Sequence, residues 1–234
     1  MKKVVKFGGS SLASAEQFTK VKDIICSDID RRYVVPSARF SGDTKVTDML
    51  YTCYAAAEQD EDFSDKLAKI QARYNEIING LGLNLSLDTQ FEEIASKFAA
   101  KAGKEYAASR GEYLNGIIMA NYLGYEFVDA AEVIRFNHDG SFNAAVTNKI
   151  MSKRLEKVER AVIPGFFGAE EDGTIRTFSR GGSDITGSIV ARAVNANLYE
   201  NWTDVSGCMV ADPRIIRNPE PITTITYKEL RELS

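Results

Sequence analysis

At 234 residues, with 44% hydrophobic and 26% charged side chains, the chain has the composition of an ordinary soluble globular protein, long enough for one large domain or two small ones. Its net charge of −4 argues against a general nucleic-acid or membrane-surface binder, which needs a dominant basic face, but leaves acidic small molecules open. Cys26, Cys53 and Cys208 are widely spaced without a CxxC pair, which excludes a zinc or disulfide framework; with no signal-peptide core and no membrane-length apolar stretch, the expectation is a cytoplasmic protein.

Val4 and Val5 open a short strand that runs straight into Lys6 Phe7 Gly8 Gly9 Ser10 Ser11. A glycine pair at a strand end lets backbone N–H groups approach an anion, and the lysine supplies charge. The lysine precedes both glycines, so this is not the common P-loop, and no GxGxxG fingerprint is present. Taken alone, the hexapeptide suits a plain strand-to-helix turn equally well. Ser14 with Gln17 then forms a capping box for a helix whose apolar face is Phe18, Val21 and Ile25. A second strand spans 33–38 and runs into a loop holding Gly42, Asp43 and Thr44. Helical periods follow over 47–58, 65–79, 90–101 and 111–122, then short strands over 126–129 and 133–136 and a helix from about Asn143. A strand over 161–166, a turn at Glu171 Asp172 Gly173 between two strands, a helix after Gly182 and a strand over 198–202 complete the regular part. The segment 210–221 holds three of the five prolines and reads as loop; Thr226 with Glu229 caps a last helix that has no stop signal, as in a piece of a longer chain. The alternation of periods specifies an α/β fold on a mostly parallel sheet covered on both faces.

A second glycine pair repeats the logic of the first. Arg180 Gly181 Gly182 Ser183 Asp184 offers a cation, a close-approach turn, a hydroxyl and a helix N-terminus. Two such turns in one open sheet belong at the carboxyl ends of strands, where ligands bind in that architecture, and together they favour a phosphate site. A third cluster, Asn201 Trp202 Thr203 Asp204 Val205 with Ala211 Asp212 Pro213 Arg214, also follows a strand; its residues alone are more often turn formers and core filler.

In order along the chain, Val4 Val5 Lys6 Phe7 Gly8 Gly9 Ser10 Ser11, then Arg110 Gly111 Glu112, then Ser179 Arg180 Gly181 Gly182 Ser183 Asp184, then Trp202 Thr203 Asp204 with Ala211 Asp212 Pro213 Arg214 resemble the blocks of the aspartate kinases of the amino acid kinase superfamily. The resemblance spans essentially the whole chain. It implies a three-layer α/β/α sandwich, with an aspartate-binding lobe over about 1–155 and a nucleotide-binding lobe over about 156–234. It also implies phosphorylation of the side-chain carboxylate of L-aspartate by ATP, giving 4-phospho-L-aspartate, the first step toward lysine, threonine and methionine. That acceptor, with a reference pKa of about 3.9, is ionised at neutral pH and needs no general base. The only histidine, His138, lies in a turn-like Asn137 His138 Asp139 Gly140 and reads as structural. What remains is to bring two anions together and stabilise the charge on the transferred group.

By resemblance, Lys6 contacts the phosphates, with Gly8, Gly9, Ser10, Gly182 and Ser183 around them. Asp184 orients Lys6 and helps hold magnesium, carried by ATP, through water. Lys6 and Asp184, the implied catalytic pair, also suit a purely structural ion pair. Arg180 takes the substrate α-carboxylate in a two-pronged contact that lysine could not reproduce, and Glu112 takes the α-ammonium. Ser37, Ala38 and Thr47 line the aspartate pocket. Thr203 and Asp204 lie near the adenosine, and Asp212 and Arg214 on the ribose and phosphate side. Without the family, Glu112 is simply a helix carboxylate expected at the surface.

The chain departs from the family pattern in places. Arg39 follows Ala38 directly where relatives carry a glycine-bearing loop, and Met209 stands where many have an aromatic. The sequence stops before a further nucleotide-contacting lysine and before the ACT domains, which in relatives bind lysine or threonine and contribute to dimerisation. The full-length protein is thus expected to be a homo-oligomer, and this segment alone to lack feedback control. Two alternatives stand beside aspartate kinase. One is another amino acid kinase, acting on glutamate, N-acetylglutamate or UMP; Glu112 argues against the last two, which offer no free α-ammonium. The other is a relative that binds nucleotide without turnover.

Overall fold

The computed structural model describes residues 1–38, 45–179, 181–203, 207, 210–211 and 215–226. It divides into two compact units, Met1–Trp202 and Thr203–Ser234. The described residues of the second unit carry no helix, and the Val210 N–H donates to the Glu220 carbonyl at 3.0 Å. The helix expected after Thr226 lies outside the described residues.

The first unit opens with β1 (Lys3–Phe7), a 3-10 turn at Gly9–Leu12, α1 (Ala15–Cys26) and β2 (Arg31–Pro36). Four helices follow: α2 (Val46–Glu58), α3 (Ser64–Gly80), α4 (Asp88–Ala99) and α5 (Lys104–Leu123). The chain continues through β3 (Glu126–Phe127), α6 (Ala130–Val133), α7 (Ala144–Leu155) and β4 (Ala161–Val162). A two-stranded antiparallel ribbon, β5 (Phe167–Ala169) with β6 (Ile175–Thr177), leads to α8 (Gly182–Ala193) and β7 (Leu198–Trp202). The main sheet has the order β3-β4-β2-β1-β7, and every neighbouring pair is parallel.

Alternation along β1 and β2 divides the core into two layers. Val5, Phe7 and Val34 face one cluster, filled by α1 to α5; Val4, Tyr33 and Val35 face the other, with α6, α7, α8 and the ribbon. Both faces are covered, so the central strands are nearly continuous apolar runs. Each fully buried large side chain contributes about 1.5–3 kcal/mol. Lys6 is the one buried polar residue of β1, and it points toward the α8 face. No helix among the described residues is long and apolar enough to cross a membrane.

The amphipathic helices follow their sequence patterns. Ser14 Oγ caps α1 by accepting from the Gln17 N–H, and α3 buries the expected Leu67, Ile70, Tyr74, Ile77 and Ile78. Several boundaries differ; β2 and α4 shift by two residues, to Arg31–Pro36 and Asp88–Ala99. α5 begins at Lys104 rather than at 111, because its first turns are buried on several sides and show no single apolar stripe. The segment 133–136 is not a strand of the sheet: Asp129 accepts from the Ala131 N–H and nucleates one helical turn at Ala130–Val133. The strand over 161–166 pairs regularly only at Ala161–Val162, then continues through Ile163 N–H to Val34 O (2.9 Å) and Gly165 N–H to Pro36 O (3.1 Å).

Candidate active site

Parallel pairing sets Lys6 between Val35 of β2 and Asn201 of β7, at the carboxyl edge of the sheet. Lys6 is buried, and its Nζ lies 2.8 Å from Asp184 Oδ1. Asn201 Nδ2 donates to the same oxygen at 2.8 Å, and the Tyr199 hydroxyl donates to the Asp184 carbonyl at 3.3 Å. The β7 edge thus fixes both ends of Asp184. Gly9 and Ser10 form the 3-10 turn just beyond β1. The Gly8 N–H, expected to face an anion, is instead taken by the Trp202 carbonyl at 3.2 Å, because the β1–β7 ladder runs one residue past the strand.

The second glycine turn follows β6, which belongs to the ribbon and not to the main sheet. It returns to the sheet edge by close backbone approach. A Cβ on Gly165 would lie 2.6 Å from Ser183 Oγ and 2.8 Å from its Cα, so only glycine fits between Ser183 and the end of β2. Gly181 caps α8 in the left-handed region at φ 58°. Phe166, next to Gly165, has φ 82°, an outlier for an aromatic residue that costs on the order of 1–3 kcal/mol.

A second cluster lies one strand over. The Ser37 N–H donates to Phe7 O at 3.1 Å, which places the 37–38 turn beside the end of β1. Gly111 of α5 lets this turn and α2 close in, since a Cβ there would meet Ala38 Cβ and Val46 Cγ1 at 3.1 Å each. Thr47, next to Val46, is half-buried. Glu112 is 6% exposed; its Oε1 accepts from Ser37 Oγ and the Ala38 N–H, both at 3.3 Å. Its Oε2 is buried with no partner among the described residues. Burial pushes the Glu112 carboxyl up to about 8, against the opposing pull of its donors and of the Arg110 charge. Arg110 is itself buried, with its guanidinium 4.4 Å from the ring centroids of both Tyr106 and Tyr113.

The structure therefore brings together Lys6, Asp184, Gly182 and Ser183 on one side and Ser37, Ala38 and Glu112 on the other. Arg180, Asp204, Asp212 and Arg214 lie outside the described residues, and Thr203 belongs to the second unit. His138 pairs with Glu170 at 2.7 Å, next to the β5–β6 ribbon. Sequence reasoning missed Asn115, whose amide donates to Ser37 O at 2.9 Å, and Thr186 and Phe166. An alternating or helical period marks such residues as core, and nothing local distinguishes them.

The amino acid kinase family model matches residues 1–234. The chain belongs to the amino acid kinase family. Aspartokinase 3 of Bacillus subtilis is 38% identical over 252 residues, covering 99% of this chain and 55% of its own length. A crystal structure of Clostridium acetobutylicum aspartate kinase superposes with a TM-score of 0.93 at 50% identity, covering all of this chain and 55% of that one. Escherichia coli aspartokinase III, solved with aspartate and ADP, superposes with a TM-score of 0.80 at 27% identity, covering 95% of this chain and 53% of its own. The chain spans about half the length of the relatives it matches. The three-layer α/β sandwich is the amino acid kinase fold.

Proposed function

We propose that this chain is the catalytic domain of an aspartate kinase, transferring the γ-phosphoryl group of ATP to the side-chain carboxylate of L-aspartate. The observation that carries the reading is Glu112: a buried carboxylate on α5, hydrogen-bonded to the Ser37–Ala38 turn after β2, with one oxygen unpartnered among the described residues, asks for a cationic ligand group. The α-ammonium of an amino acid supplies it; N-acetylglutamate and UMP do not. The aspartate and ADP in the E. coli relative support the same substrates.

In this reading the stretch through about 155 supplies the acceptor pocket, with Ser37, Ala38, Thr47 and Glu112, and the later stretch the nucleotide side. Arg180 takes the substrate α-carboxylate, and Asp204, Asp212 and Arg214 with Thr203 serve the nucleotide. Lys6 leaves Asp184 to meet the phosphates and neutralises charge as the two anions close. The start of α8, at Gly182 and Ser183, and the turn at Gly9 and Ser10 surround the transferred group. Lys6 and Asn201 both engage Asp184 through Oδ1, and the Asp184 carboxylate would reach magnesium, carried on the phosphates, through water. Magnesium, when bound there, would neutralise phosphate charge. We assign the full-length protein to the cytoplasm as a homo-oligomer.

Trapping of acyl phosphate with hydroxylamine across a panel of acceptors tests the reading. Product with aspartate alone, lost in Lys6→Ala, supports it. Product with glutamate instead, or undiminished product in Lys6→Ala, overturns it, and no product with any acceptor favours a binding-only protein.

A further inference from the structure

The strained Phe166 and the buried Thr186 are used by nothing described so far, and they meet in one hydrogen bond. Phe166 holds its left-handed backbone because both of its peptide groups are tied. Its N–H donates to Thr186 Oγ1 at 3.1 Å, and its carbonyl accepts from the Phe178 N–H at 2.9 Å. Its ring edge lies against Gly182, where a Cβ would come within 2.7 Å of Phe166 Cδ2. Thr186 is fully buried, and the same hydroxyl donates to the Gly182 carbonyl at 2.9 Å. One hydroxyl therefore accepts from the 165–166 loop and donates into the first turn of α8.

That loop is anchored in turn to the acceptor side, through the Gly165 N–H on Pro36 O, one residue before Ser37. We infer that Thr186 is a positioning residue of the transfer site, setting the spacing between the start of α8 and the end of β2 and thus between phosphoryl donor and acceptor. The inference rests on the aspartate kinase reading. Thr186 touches no substrate and acts through Phe166 and Gly182. In-line transfer is sensitive to this spacing, since a displacement of about 1 Å costs on the order of 10²-fold in rate.

Valine matches threonine in shape without the hydroxyl, and serine keeps the hydroxyl without the methyl. In the hydroxylamine assay, Thr186→Val is expected to lower kcat about 30-fold, with the KM values for aspartate and ATP each within about threefold. Thr186→Ser is expected to restore most of the rate. A kcat for Thr186→Val within about threefold of wild type overturns the inference. So does Thr186→Ser falling as far as Thr186→Val, or a loss confined to KM. If Thr186→Val does not fold, Thr186→Ala carries the same comparison. A wild-type protein active only on another acceptor overturns the aspartate reading, and the same ratios on that acceptor still decide Thr186. A wild-type protein inactive on every acceptor overturns both.

Discussion

Lys6 and Glu112 are both buried charge-bearing side chains at the carboxyl edge of one sheet, yet only one has its counter-charge. Lys6 Nζ meets Asp184 at 2.8 Å, and Asp184 is itself 45% exposed, so the pair sits at the boundary of solvent. Glu112 has donors at 3.3 Å on one oxygen, nothing on the other, and no cation in contact among the described residues. The Lys6 side is charged and satisfied at rest, ready to exchange one anion for another. At the Glu112 side, burial disfavours the charged form, and in the proposed reading a ligand would bring the missing positive charge. The two ends of the proposed site therefore differ in electrostatic state.

The sharpest way to break this contrast is to remove each group and see which kinetic parameter moves. Lys6→Ala is expected to lower kcat by about 10³-fold or more with little change in the aspartate KM, because its charge acts on the transferred group. Glu112→Gln is expected to lower kcat/KM for aspartate by about 10²–10³-fold, mainly through KM. Steady-state kinetics with both substrates varied decide the matter. If both substitutions fall on the same parameter, the division of labour is wrong.

The next effect is on stability, and its sign distinguishes the two groups. A carboxyl raised from 4.5 to about 8 in the folded state binds more protons folded than unfolded between those values. Stability therefore falls as pH rises through that window, by up to about 1.4 kcal/mol per unit, and the penalty is absent below about pH 4. Glu112→Gln is expected to raise the stability of the ligand-free protein by a few kcal/mol at about pH 8.5 and to leave it nearly unchanged at about pH 4, measured by urea unfolding. A substitution that ruins substrate binding and stabilises the fold is the signature of a functional buried carboxylate. The same proton gives a milder effect on binding. An ammonium ligand pairs with the ionised form, so the aspartate KM is expected to fall as pH rises from about 6.5 to 8, and to be flat over that range in Glu112→Gln. A flat wild-type profile would mean that Glu112 is already ionised without ligand.

The two ends also differed in how far they could be read from the sequence. The Lys6 side announces itself through local order: a strand, a lysine and a glycine pair, then a second glycine pair opening α8. Even there, the engagement of the Gly8 N–H by Trp202 depends on β7 lying beside β1, a pairing across almost the whole chain. Glu112 was legible only through family resemblance, since a glutamate in a helical period reads as a surface residue. Its burial comes from α5 being covered on several sides, which is also why the start of α5 at Lys104 gave no amphipathic signal. Thr186 and Phe166 were not legible at all. Their roles depend on a positive φ and on Gly165 and Gly182 meeting their neighbours at backbone distance, facts of tertiary packing that no local pattern encodes.

The smallest expected effect is the one that separates a buried charge from an edge pair. In Asp184→Asn the side-chain oxygen can still accept from Lys6 and from Asn201, so shape and hydrogen bonding persist and only the negative charge is lost. Because Asp184 is nearly half exposed, water and salt already screen that charge, and the stability loss is expected to be about 1 kcal/mol or less, shrinking further in about 1 M salt. Urea unfolding at low and high salt measures this. A loss above about 3 kcal/mol, independent of salt, would mean that Lys6 depends on Asp184 as a desolvated ion depends on its only partner. The Lys6 side would then share the buried character of Glu112, and the contrast between a satisfied edge pair and an unsatisfied core carboxylate would no longer hold.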